Sequence, residues 1–331
     1  MLLNSGRMIA ALCVLFAATV ARSAEPGLPT FTSADEAGAD FAIQGEYVGE
    51  VNTGDGPMPF GVQVLALGDG KFRAVAYPGG LPGAGWKRGD DKHVAEGKME
   101  NGQAVFSGDD GGQGVVKDGA LHVSHGGGKA SVLKKVERKS ETLGEEAPDG
   151  AIVLFDGSST DHFVDGKLVE ENLLASGCAS KEEMKDHTMH IEFRTPFMPT
   201  ATGQARGNSG VYVQDRYEIQ VLDSFALEGE NNECGGLYSM KAPAVNMCYP
   251  PLAWQTYDID FTAAKFDAAG KKTSNARLTL LHNGVKIYDD MELADKTPGG
   301  APQEAPGVGP LKLQDHGNPV AFRNIWIVEK K

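Results

Sequence analysis

Apolar and polar side chains alternate in two short runs between residues 209 and 222. Such alternation is typical of half-buried β-strands, because successive side chains point to opposite faces of a sheet. The apolar face carries Val211, Val213, Ile219 and Val221. The polar face carries Tyr212, Gln214, Glu218 and Gln220. With a turn at Asp215-Arg216, the pattern predicts paired strands whose polar face lines a carbohydrate-binding groove.

Residues 41–137 form short β-type runs separated by glycine. Asp69-Gly70, Asn101-Gly102 and Asp118-Gly119 lie between such runs and favour tight hairpin turns. We therefore expect a small β-sandwich or barrel domain, whose role the sequence leaves open. The charged residues 138–150 are predicted to be a linker.

Residues 151–329 also consist of short β-type runs separated by turn residues, and no stretch has a marked helical pattern. Asn283-Gly284 between two apolar runs is a further hairpin signal. The chain also contains 43 glycines, which suits a fold with many turns. The overall prediction is an all-β protein, with a two-sheet antiparallel sandwich or jelly roll following the smaller β domain.

Charge and the first residues restrict where the protein acts. The formal net charge is −14, which argues against nucleic acid or an anionic membrane as a partner. Arg7, the apolar run at 8–20 and the small residues Ala21 and Ser23 are typical of an export signal. We expect residues 1–24 to be a signal peptide, with a secreted or periplasmic mature chain that has no membrane span. The alternative is an uncleaved anchor, and the oligomeric state is left open.

Three cysteines follow the predicted signal: Cys178, Cys234 and Cys248. Export permits disulfides, and Cys234 and Cys248 flank a loop rich in Gly, Pro and Asn. We predict a Cys234–Cys248 bridge and a buried Cys178 thiol. The alternative is that all three thiols are free, because sequence does not give connectivity.

Polar faces are predicted on neighbouring strands as well. If Met189, Ile191 and Phe193 face the core, then His190, Glu192 and Arg194 share the opposite face. By the same rule, Gln314 and His316 lie opposite Leu311 and Leu313. These side chains are predicted to extend the groove. The alternatives are a solvated outer face, or an ion-pair platform formed by Glu192 and Arg194.

An ordered set of segments resembles the 3-keto-disaccharide hydrolase family, formerly a domain of unknown function. The segments are Leu154-Phe155-Asp156-Gly157, Asn208-Ser209-Gly210-Val211-Tyr212, Tyr217-Glu218-Ile219-Gln220-Val221-Leu222-Asp223, Trp254-Gln255-Thr256-Tyr257-Asp258, His282-Asn283-Gly284, Leu313-Gln314-Asp315-His316-Gly317 and Phe322-Arg323-Asn324-Ile325. The resemblance covers residues 151–329 and implies a concanavalin-A-like jelly roll. The smaller domain matches no family by this criterion.

The resemblance also implies a kind of chemistry. The family is akin to family-16 glucanases, whose strand motif is Glu-x-Asp-x-x-Glu, whereas this chain has Glu218, Gln220 and Asp223 at those positions. Retaining hydrolysis requires two carboxyl groups about 5–5.5 Å apart, and Gln220 cannot take a proton. A ketone at C3 of a sugar acidifies the C2 hydrogen, so elimination followed by hydration needs only a base and groups that stabilise an enolate. This route fits the sequence better than hydrolysis by two carboxylates.

The resemblance and the strand pattern together assign roles. Glu218 is the expected general base, with His316 and Asp223 as acids. The expected substrate-binding residues are His190, Glu192, Arg194, Asn208, Tyr212, Gln214, Gln220, Tyr238, Gln314 and Arg323. Simpler alternatives remain for several residues: Glu218 could only accept hydrogen bonds, Asp223 could cap a turn, and Arg323 could form an ordinary ion pair.

No cofactor is expected. His190, Glu192, Glu218 and His316 could together hold a divalent metal, but no short ligand spacing supports such a site. The expected partner is a carbohydrate substrate, and the expected activity is cleavage of 3-keto-glycosides. A lectin-like binding protein with the same groove is the main alternative, and an adhesion or scaffolding protein is the third.

Overall fold

The computed structural model describes residues 27–54, 56–109, 111–125, 130–301 and 306–331, so the predicted signal peptide lies outside the described residues. Within these ranges the fold is nearly all β. The elements in the first part are α1 Gly38–Ile43, β1 Gly45–Thr53, β2 Gly56–Gly68, β3 Lys71–Pro78, β4 Leu81–Pro82, β5 Gly85–Trp86, β6 His93–Glu100, β7 Gln103–Gly108, β8 Gly112–Lys117, β9 Ala120–His125 and β10 Ser131–Val136.

The second part contains strands and one short 3-10 helix, Gly203–Ala205. The strands are β11 Ile152–Phe155, β12 Phe163–Val164, β13 Leu168–Val169, β14 Leu173–Ala175, β15 Cys178–Met184, β16 His187–Arg194, β17 Ser209–Val213, β18 Tyr217–Val221, β19 Gln255–Thr262, β20 Lys265–Phe266, β21 Lys272–Ser274, β22 Ala276–His282, β23 Val285–Leu293, β24 Gly309–Leu313 and β25 Ala321–Glu329. The predicted all-β fold class is confirmed.

The first part is a closed antiparallel barrel in the strand order β1-β10-β9-β8-β7-β6-β3-β2. Asp69, Asn101 and Asp118 take positive φ values of 54°, 49° and 51° at three of its hairpins. Asn and Asp tolerate this left-handed conformation, which is why the Asx-Gly pairs predicted these turns correctly. The barrel strand that the sequence pattern did not indicate is β6, because only Val94, Ala95 and Met99 of its side chains are apolar and the strand is mostly exposed.

The second part is a sandwich of two antiparallel sheets. The larger sheet has the order β13-β14-β25-β16-β19-β22-β23, with β11 also paired to β25. The smaller sheet has the order β12-β15-β24-β17-β18. Val211 and Ile219 of the smaller sheet share one buried cluster with Met189 and Ile191 of the larger sheet. The core therefore lies between the sheets, and the polar side chains that alternate with these residues lie on the two outer faces.

The barrel packs against the sandwich. Val75 and Tyr77, which point outward from the barrel, belong to the same buried cluster as the sandwich core. Residues 137–150 are not a free connection, since Arg138 donates to both carboxylate oxygens of Glu46, at 2.7 and 2.6 Å. Among the described residues, no helix is both long and apolar enough to cross a bilayer.

The predicted disulfide is wrong in this structure. Cys178, Cys234 and Cys248 are free and buried. The thiols of Cys234 and Cys248 are hydrogen-bonded neighbours rather than bonded sulfurs. Cys234 also contacts the hydroxyl of Tyr257 at 3.3 Å, and the Cys248 thiol donates to the carbonyl of Leu222 at 3.5 Å. The pair is therefore held by ordinary packing and polar contacts.

Candidate functional site

The predicted single groove is wrong, because its residues lie on the two opposite faces of the sandwich. One group lies outside the smaller sheet, and we call it the Glu218 cluster: Gln204, Asn208, Tyr212, Glu218, Gln220, Tyr238 and Gln314. The other group lies outside the larger sheet, and we call it the Glu192 cluster: His190, Glu192, Asp258, Arg323 and Asn324. The apolar core separates them, so the suggested metal set of His190, Glu192, Glu218 and His316 does not assemble.

Glu218 is at the centre of the first cluster and is only 2% exposed. It lies opposite Tyr212 in the β17–β18 ladder, and the two side chains are hydrogen-bonded. The amide nitrogen of Gln314 donates to the Tyr212 hydroxyl at 2.9 Å. Gly210 provides the space, because a Cβ atom there would come within 2.7 Å of Glu218 Oε1 and 3.2 Å of Gln314 Oε1. Any larger residue at position 210 would displace the carboxylate.

Gln220 links Glu218 to a row of amides. One end of its amide lies 3.2 Å from Glu218 Oε1, and the other lies 2.9 Å from Gln204 Oε1 and 3.3 Å from Asn208 Oδ1. Which end is nitrogen follows from the hydrogen-bond network. The end near Glu218 also lies 2.9 Å from the carbonyl oxygen of Ser209, which can only accept, so this end is the amide nitrogen and it donates to Glu218. Gln220 is therefore a fixed donor to Glu218.

Burial sets the electrostatics of this cluster. It raises the pKa of Glu218 to about 7, against the opposing effects of the Tyr212 hydrogen bond and the Lys312 charge. Burial and the adjacent Glu218 also raise the pKa of Tyr212, so this phenol stays protonated as a donor. A carboxyl group with a pKa near neutrality can take up and release a proton at physiological pH, which is the property required of a general base.

The rim of the Glu218 cluster is partly exposed. Gln204, Tyr238 and Gln314 are half-buried around the buried carboxylate. Lys312 lies 5.1 Å from the centre of the Tyr212 ring and pairs with Asp215 at 2.8 Å. Gln314 Oε1 is a buried acceptor that receives no hydrogen bond within the described ranges. The rim thus offers amides, a phenol and a cation, which are groups that bind sugar hydroxyls.

One side of the cluster is covered by the segment after β23. The Thr297 hydroxyl accepts from the backbone N–H of Glu218 at 3.0 Å. A Cβ on Gly299 would lie 2.4 Å from the Tyr212 hydroxyl and 3.4 Å from Glu218 Oε2. This contact was not predicted from sequence, because the composition of Thr297-Pro298-Gly299 is typical of an ordinary turn.

Two other predicted site residues, His316 and Gln214, lie beside the Glu218 cluster. His316 is half-buried in the turn after β24, and burial lowers its pKa. That turn runs beside Asn208, whose N–H donates to Asn318 Oδ1 at 2.8 Å. Gln214 is a turn residue with φ 55°, and its amide donates to the carbonyl of Met184 at 2.7 Å. Its hydrogen bonds fix the β17–β18 turn, and its substrate-binding role stays a prediction.

Asp223 was predicted to be an acid in the groove, and its contacts contradict this. It is 1% exposed and lies 2.7 Å from Nε of Arg206. Arg206 also contacts the carbonyls of Pro199 and Ala201, at 3.2 and 3.3 Å, and the barrel carbonyl of Ala66 at 3.5 Å. The pair therefore fastens the loop before β17 to the barrel, and Asp223 is structural.

The Glu192 cluster is an ion-pair network on the larger sheet. Arg323 donates to Glu192 Oε2 at 2.6 Å, and Asn324 donates to Oε1 at 3.0 Å. The N–H of Gly144 donates to the same Oε1 at 2.6 Å. His190 Nδ1 lies 2.6 Å from Asp258. Arg323 thus forms the ion pair that was the alternative to its predicted substrate-binding role, and Glu192 lies wholly buried under residues 142–145.

Opposite pKa shifts follow from these contacts. Burial alone would raise the pKa of Glu192, but hydrogen bonds from His190, Asn324 and Arg323 outweigh it and lower the pKa to about 2. Burial would lower the pKa of His190, but Asp258 and Glu192 outweigh it and raise the pKa to about 9. Glu145, His190 and Asp258 place one ligand atom each within 4.8 Å of one another. A protonated imidazole has no lone pair for a metal, so an ion-pair network is the better description.

Arg194 and Arg323 also share an aromatic platform. The guanidinium carbons lie 5.2 and 4.0 Å from the centre of the Trp254 ring. Arg194 pairs with Glu170 at 2.5 Å. Trp254 lies half-buried beneath the two cations. Residues 140–145 were missed as part of this network, because their charged sequence is typical of a linker.

We expect stability to fall as the pH rises from about 6.5 to 9. His190 binds its proton more tightly in the folded state, so its contribution is complete below the unfolded pKa and is lost as His190 deprotonates. Each pKa unit corresponds to about 1.4 kcal/mol, so the loss is a few kcal/mol at most. Urea unfolding at pH 6 and pH 9.5 measures it. In His190→Gln this pH dependence should be much weaker, and an unchanged slope would contradict the assignment.

Comparison with known proteins identifies the second part of the chain. The family described as "3-keto-alpha-glucoside-1,2-lyase-like domain" matches residues 150–328. The chain belongs to this 3-keto-disaccharide hydrolase family. The Glu218 cluster and the Glu192 cluster both lie within the matched residues, whereas the barrel lies outside them.

A solved structure agrees with this assignment. A "putative glycosyl hydrolase" from Parabacteroides distasonis is 33% identical, with a TM-score of 0.51, and the match covers 56% of this chain and 85% of that one. A second protein of the same description and organism is 17% identical, with a TM-score of 0.41, and the match covers 55% of this chain and 95% of that one. No curated protein sequence matches the chain. Family and fold support a carbohydrate-active protein of the glycosyl hydrolase type.

Proposed function

We propose that this protein cleaves 3-keto-glycosides by abstracting the proton at C2, with Glu218 as the base. The observation that supports this most is a buried carboxyl group whose pKa is about 7, set among amides and a phenol. A base works best when its pKa is close to the operating pH. The family, described as 3-keto-alpha-glucoside-1,2-lyase-like, supports the substrate class.

The proposed reaction has two stages. In the first, Glu218 takes the C2 proton, the C2–H electrons form the C1=C2 bond, and the C1–O bond breaks. The departing oxygen keeps its electron pair and gains a proton, for which His316 is the proposed donor. In the second stage, water adds its oxygen to C1 of the enone and C2 regains a proton. The products are a 3-keto-sugar and the released alcohol.

The other residues of the Glu218 cluster position the reactants. Tyr212 holds Glu218 through its hydroxyl, and Gln314 orients Tyr212. Gln220 is proposed to hold the Glu218 carboxylate in place, because its amide nitrogen donates to that carboxylate at 3.2 Å. Gln314 Oε1 has no donor in the described part of the chain, and a sugar hydroxyl would satisfy it.

Hydrolysis by two carboxylates has less support. The second acid of the glucanase motif is Gln220, and Asp223 is held by Arg206 at 2.7 Å. Within the described residues, the groups that shift the pKa of Glu218 are Tyr212 and Lys312, and neither is a carboxylate. Elimination requires only one base, so it fits this arrangement.

Comparing oxidised and unoxidised substrates tests the proposal. The purified protein should release the alcohol from 4-nitrophenyl 3-keto-glucoside and leave the unoxidised glucoside intact. In deuterated water the recovered keto-sugar should carry deuterium at C2. Cleavage of the unoxidised glucoside at an equal rate would refute the elimination route. Saturable binding of the keto-glucoside without turnover or exchange would favour a carbohydrate-binding protein.

The rate should depend on pH through Glu218. Because Glu218 must be ionised and the donor His316 must be protonated, kcat/KM should pass through a maximum below pH 7 and fall by up to about tenfold per pH unit on either side. Steady-state rates on the keto-glucoside between pH 5 and 8.5 measure the profile. A profile that is flat across pH 5–8 would show that a group other than Glu218 is the base.

We also propose that the mature protein is exported, which the residues at 7–23 support. N-terminal sequencing of protein from the native cell should find a start near residue 25. Recovery of a chain that begins at Met1 would contradict export by a cleaved signal.

A further inference from the structure

The barrel of β1–β3 and β6–β10 is filled at one end and hollow at the other. The closed end is filled by four fully buried side chains: Tyr47, Val64, Phe72 and Leu133. The opposite end holds a half-open cavity of about 680 Å³. Eight-stranded barrels are wide enough to hold one small ligand, and pockets for such ligands are typically about 300–1,000 Å³.

The walls of this cavity are mainly apolar. Phe60, Val62, Phe106, Leu121 and Val123 supply large side chains. Of the residues that line it in the described part of the chain, none is Asp, Glu, Lys or Arg, and His93 is the one titratable side chain. This is notable because 23% of the whole chain is charged. Burying a charge in such walls without a partner would be strongly unfavourable, so the cavity suits an uncharged molecule.

Small residues keep the cavity open. Ala74, Ala76 and Ala95 line it where larger side chains would fill it. Gly97 lets the Phe106 ring lie against its strand, since a Cβ there would come within 2.4 Å of that ring. A barrel that served only as a packed scaffold would be expected to fill this space, because interiors are close-packed.

The shape and rim of the cavity restrict the ligand further. The walls comprise two inward positions per strand, such as Phe60 with Val62 and Leu121 with Val123. Positions two apart on a strand are separated by about 7 Å, so the cavity is short relative to an extended acyl chain. The lining also contains polar residues, namely Asn52, Thr53, His93, Gln113, Ser124 and Ser131. They could hydrogen-bond one hydroxyl or carbonyl group.

We propose that the barrel binds a compact, uncharged ring compound that carries one hydroxyl or carbonyl group. The rings would occupy the apolar walls, and the polar group would contact the amides and hydroxyls of the lining. This site is separate from the Glu218 cluster and does not depend on the function proposed for it.

Binding of N-phenyl-1-naphthylamine to the full mature chain tests the proposal. This uncharged probe fluoresces more strongly in apolar surroundings, and its signal should saturate at one equivalent. 1-Naphthol should displace it, whereas naphthalene-1-sulfonate and 1-dodecanol should each need at least tenfold higher concentrations. Equal displacement by the sulfonate or the dodecanol would overturn the ligand class.

Variants locate the site. Ala76→Phe and Ala95→Phe project into the cavity and should each weaken probe binding at least tenfold. Val132→Phe is the matched control, because Val132 is 50% exposed and lies outside the lining; its affinity should stay within twofold. Circular dichroism and urea unfolding report the folding of each variant. Failure of the wild-type protein to bind the probe, or equal losses in folded Ala76→Phe and Val132→Phe, would refute the site.

Discussion

Replacing Glu218 by Gln should lower the rate of single-turnover cleavage of a 3-keto-glucoside by at least about 10²–10⁴-fold, the usual contribution of a general base. Gln keeps the size and hydrogen-bonding capacity of Glu218 but cannot accept the C2 proton. Because Gln220, Asn208 and Gln314 remain, substrate affinity should change far less than the rate. Rapid-quench kinetics for the rate and calorimetry for affinity measure the two effects separately.

A matched variant provides the control for this test. Glu182→Gln alters a carboxylate of the same sheet that contacts His162 at 2.6 Å, and it should keep the normal rate. Near-normal cleavage by Glu218→Gln would show that Glu218 is not the base. A loss confined to affinity would instead assign Glu218 to binding.

Glu218→Gln should also stabilise the protein above pH 7. The folded pKa of Glu218 is raised from 4.5 to about 7, so ionisation is less favourable in the folded state. Stability therefore declines as pH rises from 4.5 through 7, by roughly 3 kcal/mol at about 1.4 kcal/mol per pKa unit. Urea unfolding of both proteins at pH 4.5 and pH 8 should show the variant gaining stability only at pH 8. Equal stabilities of the two proteins at pH 8 would show that burial does not raise the pKa of Glu218.

Asp223→Ala should destabilise the fold by about 3–5 kcal/mol, because it leaves the buried Arg206 charge without its partner. The folded fraction should keep its normal rate constant for cleavage, since Asp223 contacts the barrel anchor rather than the Glu218 cluster. Urea unfolding measures the loss, and active-site titration corrects the rate for folded protein.

An exposed pair provides the control for this prediction. Lys286 and Asp289 lie 2.9 Å apart with half or more of each side chain exposed. Lys286→Ala should cost less than about 1 kcal/mol, the usual limit for surface pairs. A rate constant that falls more than tenfold in folded Asp223→Ala, with little loss of stability, would restore the catalytic role first expected for Asp223.

The sequence by itself determined the fold class and the central carboxylate. Alternation of Val211, Val213, Ile219 and Val221 placed these residues in the core, where the structure has them. Asx-Gly pairs located the hairpins, because their backbone preference is local. The ordered motifs of residues 151–329 indicated the family, which the match to residues 150–328 confirmed.

Only the tertiary structure decided which polar faces meet. Alternation shows that His190 and Glu218 both point away from a core, but it does not show that they belong to different sheets of one sandwich. Likewise, sequence did not show that Asp223 would meet Arg206, or that Gly144 would donate to Glu192. The period of a strand fixes the side on which a residue lies, whereas sheet order depends on pairings between distant segments. That is why the predicted residues were largely polar and outward-facing as expected, yet formed two clusters instead of one groove.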